Sequence, residues 1–302
     1  MDAFDYIVIG SGSAGSLMAN RLSADPSNRV ALIEAGPSDK KWPVNLKTAM
    51  PVGNIFLLPH EKYNWKQSLD GNAAVNDRQI NFPRGKLFGG CSAINGGVYI
   101  RGQKADYDAW ADAGNQGWSY SDVLPAFKAV ENYAGPDKLW HGKGGELDVQ
   151  KPKSWNPISA AIVDATVEAG HHRNDDFAGE RQDGFGRYDL NQRNGTRLSS
   201  ARAFLHPALK RANLTVFDET MVRRILFDRG HAAGLEIEKD GARSTVTARR
   251  EIILCAGATN SPQLLMLSGI GPQDHLRNMG IDVVHHLPGV GQHLQDHPTV
   301  HV

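Results

Sequence analysis

Three observations predict an α/β protein. A short apolar strand, Tyr6-Ile7-Val8-Ile9, runs into Gly10-Ser11-Gly12-Ser13-Ala14-Gly15. A helical pattern follows, with Leu17, Met18, Arg21 and Leu22 at helical spacing as far as about Ala24. A second apolar strand, Val30 to Ile33, then ends at Glu34. Together these make one βαβ unit.

Past Glu34 the pattern loosens. Residues 36 to 82 scatter proline, glycine and aromatic side chains without period, as long surface excursions do. Residues 84 to 102 are apolar and glycine-rich. Helices are expected over 119–131, with Ser119 or Ser121 near the cap, over 157–170, and over 200–211. A weak strand is expected over 186–192. Leu214 to Phe217, Val222 to Phe227, Ala233 to Glu238 and Thr245 to Ala248 read as a β-rich meander. Glu251 to Cys255 is another buried strand, leading to a helix from about Ser261.

The 302 residues suffice for one large domain or two intertwined ones. Basic and acidic residues balance at 33 each, which argues against a general affinity for nucleic acid. No stretch approaches the ~18 apolar residues of a membrane-spanning helix. Two cysteines, Cys91 and Cys255, form neither a disulfide framework nor a metal spacing, and no signal peptide precedes the first strand; both fit a cytoplasmic protein. Asn194 and Asn213 head glycosylation sequons that read as surface turns. His293 and His297 are spaced as a helical metal pair but lack a third ligand, so no metal is expected. His171-His172, His285-His286 and Asp175-Asp176 read as solvated surface.

The GxGxxG pattern is strong because of its setting between strand and helix, with Glu34 24 residues after Gly10. Gly10 permits the tight turn, Gly12 lets main chain approach a diphosphate at the helix N-terminus, and Gly15 allows close helix–sheet packing. Glu34 can accept hydrogen bonds from ribose hydroxyls and disfavours a 2′-phosphate, which argues against NADP. An NAD half-fold would continue with short βα units. The roughly two hundred residues between the second strand and Ile252 suit the larger FAD, whose ring system must be buried elsewhere. The segment Arg84-Gly85-Lys86-Leu87-Phe88-Gly89-Gly90-Cys91-Ser92-Ala93-Ile94-Asn95-Gly96-Gly97-Val98-Tyr99-Ile100-Arg101-Gly102 can run along a flavin and diphosphate. On its own it would serve equally well as a structural turn.

These two segments and Gly257-Ala258-Thr259-Asn260-Ser261-Pro262-Gln263-Leu264-Leu265-Met266-Leu267-Ser268-Gly269-Ile270-Gly271 resemble, in order, the signatures of the glucose–methanol–choline (GMC) oxidoreductases. The choline-dehydrogenase-like branch is the nearest, since Tyr99 to Gly102 and Gly184 to Leu205 resemble it too. The resemblance implies a Rossmann-like FAD-binding domain over 1–150 and 205–302, and part of an α+β substrate-binding domain over 151–204. It implies that Gly10, Gly12, Ser13, Ala14, Gly15, Glu34 and Ala35 hold the ADP half. Gly90, Ser92, Asn95, Gly96, Gly97 and Val98 would meet the flavin side, Val222 the adenine, and Trp65 would approach the cofactor. Some members attach FAD through a histidine that matches Ile94 here, so non-covalent FAD is expected. The implied reaction is oxidation of a small alcohol by hydride transfer to flavin N5, with oxygen or a quinone-like acceptor taking the electrons. The family's histidine base lies beyond the Gly289-to-His297 segment. It is expected past Val302, so no catalytic residue is assigned. The alternative is a non-catalytic, truncated FAD-binding protein.

Overall fold

The computed structural model describes residues 2–136 and 139–297. Contacts divide them into two compact units. One comprises the described residues within 2–45, 55–94 and 200–297, the other those within 46–54, 95–136 and 139–199. Residues 95–150, grouped by the sequence reading with the first domain, thus fall in the second unit.

The first unit is built on a six-stranded sheet of β1 (Asp2–Ile9), β2 (Val30–Ile33), β3 (Leu214–Phe217), β4 (Met221–Asp228), β5 (His231–Lys239) and β6 (Ala242–Leu254), in the order β3-β2-β1-β6-β5-β4. Pairing is parallel from β3 to β6 and antiparallel from β6 to β4. The apolar runs are continuous rather than alternating because the parallel core is covered on both faces. On one face Ile7, Ile9, Ala31 and Ile33 pack with Leu235, Ile237 and Leu264. On the other, Val8, Val30 and Leu32 pack with Ala19, Ala201 and Leu205. Phe4 packs in the same cluster as Ile7, and between Phe4 and Tyr6 the register with β6 shifts by one residue.

α1 (Ser13–Leu22) follows β1 directly, and α2 (Gly257–Leu267) follows β6. Three local expectations change. Leu214 to Phe217 is not part of a meander but lies parallel to β2, so the antiparallel part is β4-β5-β6 alone. The two strand segments expected at 245–248 and 251–255 are one 13-residue strand, β6, which pairs with β5 over 242–247 and with β1 over 246–254. α2 begins four residues before the expected Ser261. The Asn260-Ser261-Pro262 cluster imitates a turn, but the helix runs through it, with Pro262 inside at the sixth position at the loss of one intrahelical hydrogen bond. Residues 201–208 form a wide π-type turn and a short α-helix. Asn213 is more than a surface turn: its Nδ2 donates to the carbonyls of Ser23, Asp25 and Asn28.

The second unit has a five-stranded sheet in which Val98–Tyr99, Asp189–Arg193, Leu147–Gln150 and Glu131–Tyr133 follow one another, with Thr196–Arg197 paired to the 189–193 strand. The expected helices are present as Tyr120–Val130, capped by the Ser119–Asp122 box, and Pro157–Glu168, capped by Asn156. A further helix, Lys104–Asp112, has no buried residue and so no apolar stripe by which to read it. Among the described residues, no helix is long and apolar enough to cross a membrane.

Candidate functional site

The first unit holds a cavity of about 670 Å³, within the range of small-molecule sites. The ends of the parallel strands build it, where α/β sheets generally place ligands. β1 delivers Ile9 and Gly10, α1 opens with Ser13 and Ala14, and β2 delivers Ile33, Glu34 and Ala35. Thr220 and the start of β4, including Val222, supply another wall. Leu254 to Gly257, at the junction of β6 and α2, close the floor, and Trp65, Arg84, Gly85, Gly90 and Cys91 come from the segments between.

The loop at Gly10 needs glycine twice. Gly10 has φ +91°, and a β-carbon there would stand 2.6 Å from the Cys255 carbonyl oxygen. At Gly15 a β-carbon would meet the Gly10 oxygen at 1.8 Å, so this glycine is required for packing and does not line the cavity. Gly12 differs. A β-carbon there would meet no atom within 4 Å, so the main chain presents an open face to the cavity. Gly12 caps α1 without a side-chain hydrogen bond. The first-turn amides of α1 therefore keep their donors and their partial positive charge for a ligand.

Glu34 is buried and fixed. Its Oε2 accepts from Ser11 N and Ser11 Oγ, both at 2.8 Å, and Oε1 accepts from Gly36 N at 2.8 Å. Burial pushes its carboxyl above the ordinary range, while the bonds from Ser11 and Gly36 and the charge of Lys86 oppose this. Three of roughly four lone-pair sites are thus filled, leaving room for one more donor such as a ribose hydroxyl.

Nine of the expected residues line this cavity: Gly10, Gly12, Ser13, Ala14, Glu34, Ala35, Trp65, Gly90 and Val222. Gly15 and Ser92 stand outside it. Ser92 Oγ donates to the Gly89 carbonyl and accepts from Ser200 N, bracing the second glycine segment. Asn95, Gly96, Gly97 and Val98 belong to the second unit. There Asn95 Oδ1 accepts from Gly97 N at 2.9 Å and from Arg197 Nη1 at 3.0 Å. The site also includes residues to which the sequence reading gives no individual role: Arg84, Thr220, Arg223, Thr259 and Asn260. Cys255, read as core, lines the cavity as well, and burial pushes its thiol up. Asp176, read as a solvated turn, accepts from His141 Nε2 at 2.9 Å. Among the described residues no cluster is suited to a metal.

A parallel sheet flanked by two uncapped helix starts, with an acidic residue ending its second strand, defines a dinucleotide-binding flavoprotein-type fold. The chain matches the GMC oxidoreductase family model over residues 4–299, and it belongs to that family. Members of the family are FAD-dependent oxidoreductases. The chain is 46% identical over 298 residues to the oxygen-dependent choline dehydrogenase of Brucella ovis, covering 99% of this chain and 53% of that protein. Its likeness to the same enzyme of Sinorhizobium fredii is 45% over 293 residues, 97% of this chain and 52% of the relative. Among solved structures, pyridoxine 4-oxidase from Mesorbium loti superposes with a TM-score of 0.89 at 35% identity, over 94% of this chain and 55% of that one. An FAD-dependent oxidoreductase from Chaetomium thermophilum gives 0.88 at 32%, over 97% and 52%. The chain spans about half the length of these relatives.

Proposed function

We propose that the first unit holds the ADP half of FAD, and that the chain serves an enzyme that oxidises a small alcohol. The carrying observation is the coincidence, in one cavity, of the open main chain at Gly12, the uncapped start of α1, and the fixed carboxylate of Glu34. The Gly12–Ala14 amides bind the diphosphate, Glu34 takes a ribose hydroxyl, and main chain at Val222 meets the adenine. In this reading Asn95, Gly96, Gly97 and Val98 meet the flavin side.

When bound, FAD supplies at N5 the acceptor for the hydride leaving the alcohol carbon. Attachment is non-covalent. Ile94 occupies the position used for covalent linkage in some members, and its hydrocarbon side chain is buried among Leu57, Tyr63 and Leu87 with no nucleophilic atom to offer. No residue of this chain is assigned as the base. Names of relatives span choline and pyridoxine, so the substrate class is kept at a primary or secondary alcohol, with oxygen as the acceptor that the choline relatives' name supports.

The test is anaerobic. The 302-residue chain is reconstituted with FAD, desalted and exposed to a panel of alcohols. Flavin absorbance is expected to stay with the folded chain and to pass entirely into the supernatant on acid precipitation. Yellow colour left in the pellet would contradict non-covalent attachment, and failure to retain any flavin would sink the FAD reading. Bleaching by any alcohol establishes oxidation. Retention without bleaching favours a binding protein that turns nothing over.

A further inference from the structure

We propose that Arg84 is a recognition residue for the diphosphate of the dinucleotide in this cavity, an inference that rests on the FAD reading above. Three charged side chains line the cavity: Glu34, Arg84 and Arg223. Glu34 is engaged as described. Arg223 is neutralised by a two-point bond to Glu238, at 3.1 and 2.8 Å. Arg84 has no carboxylate partner among the described residues, and its Nε is buried without a hydrogen-bond partner. A buried guanidinium donor left unpaired is costly unless a ligand supplies the acceptor. Its neighbourhood offers none from the protein.

The side chain is nevertheless held in place. The Arg84 guanidinium lies over the Phe82 ring, 3.6 Å from its centroid, which fixes the plane of its fork. Its main chain is tied on both sides: Arg84 N donates to Asn64 Oδ1 at 3.0 Å, and Trp65 N donates to the Arg84 carbonyl at 2.9 Å. Asn64 is itself buried, with Nδ2 bonded to the Leu58 carbonyl. Such preorganisation reduces the entropy lost when an anion is gripped.

Location selects the anion. A β-carbon at Gly85 would stand 2.3 Å from Gly90 main chain, and one at Gly90 would stand 2.9 Å from Gly12 Cα. Bare main chain therefore stacks from the Arg84 segment to the open face of Gly12, where the α1 amides offer their donors. A diphosphate carries two negative charges. Neutral amides and a helix start supply only partial compensation. The free guanidinium adds a full charge and a fork matched to phosphate oxygens. Adenosine, at the Glu34 end of the ligand, draws nothing from it.

The test separates the phosphates from the nucleoside. Calorimetric titration of the 302-residue chain with FAD, ADP and adenosine is compared for wild type, Arg84→Met and Arg84→Lys, with far-UV circular dichroism on each. Arg84→Met is expected to weaken FAD and ADP by roughly 10- to 100-fold while changing adenosine by less than about twofold. Arg84→Lys, which keeps the charge and loses the fork, is expected to lose roughly 3- to 10-fold on the same two ligands only. If Arg84→Met does not fold, the Lys variant carries the comparison. An equal loss on all three ligands would reduce Arg84 to a packing role and overturn the proposal, as would unchanged ADP binding. Wild type that binds ADP and adenosine but not FAD would overturn the cofactor reading, and leave the role of Arg84 standing on the ADP data. Wild type that binds none of the three overturns both.

Discussion

The cavity of the first unit and the Glu131 cluster of the second treat buried polarity in opposite ways. In the first, donors at the Gly12 loop, at the start of α1 and on Arg84 are left open along one cavity. In the second, charged side chains consume one another. Glu131, wholly buried, accepts from Arg101 Nη2 at 2.8 Å, from His141 Nδ1 at 2.9 Å and from Gly142 N at 2.7 Å. Asp176 takes the other ring nitrogen of His141, which stacks on Tyr133 at 3.7 Å. Arg101 also donates to Tyr99 Oη and the Trp140 carbonyl. A polar network satisfied within the protein is architecture. Donors that line a cavity and stay unsatisfied are an invitation to a ligand.

If that contrast is right, the largest effect on stability comes from the second unit. Glu131→Ala leaves Arg101 and His141 buried without their shared acceptor, at a cost of about 3–5 kcal/mol. Denaturant titration is expected to show this, while ADP affinity of the folded chain stays at the wild-type value. A drop in ADP affinity would break the division of labour. Next come the two glycines of the first loop, which are expected to part ways. Gly10→Ala forces a β-carbon onto the Cys255 carbonyl at positive φ and should cost about 2–3 kcal/mol of stability. Gly12→Ala has room and an ordinary φ of −67°. It should leave stability within about 0.5 kcal/mol of wild type and weaken ADP about 10-fold or more. Equal behaviour of the two variants would remove the argument that Gly12 faces a ligand. Glu34→Gln costs less stability than Gly10→Ala, about 1–2 kcal/mol, because one of its backbone donors, at Ser11 or Gly36, loses its acceptor. It should also narrow the preference for ADP over 2′,5′-ADP, measured as a ratio of dissociation constants, since the repelling charge is gone.

The parts of the fold that were legible in the sequence are those fixed by local period. β1, α1, β2 and the glycine loop occupy one continuous stretch, and each apolar residue there has a face to fill. The Ser119–Asp122 capping box and Asn156 likewise mark their helices by short-range chemistry. What escaped depends on partners far away in the chain. β3 reads as one more strand of a meander, because nothing in Leu214 to Phe217 says that it lies beside β2. β6 reads as two pieces because Arg249 and Arg250 interrupt its apolar pattern, although the backbone continues through them. In the cavity, Gly10, Gly12 and Glu34 were readable from spacing alone. Arg84 was visible only as the start of a motif, since its missing counter-charge is a property of the packed cavity. His141 was silent among 12 histidines, because Arg101, Glu131 and Asp176 become its surroundings only on folding.

That silent histidine yields the gentlest prediction, a drift with pH. Burial alone would lower the pKa of His141, but hydrogen bonds to Asp176 and Glu131 outweigh it and raise the value from 6.5 to about 9. A histidine whose folded value is raised stabilises the fold fully below its unfolded value. That contribution fades as pH climbs through the folded one. The window therefore runs from about pH 6.5 to about pH 9, with stability falling toward the alkaline end. Thermal melts across this window should show wild type losing a few degrees more than His141→Gln, which cannot titrate. The variant will be less stable at pH 6.5, so the informative quantity is the difference in slope. Parallel slopes would mean that His141 is neutral in the fold. The network would then be held by Arg101 and Glu131 alone, and the contrast between the two units would rest on one buried ion pair rather than on a connected set.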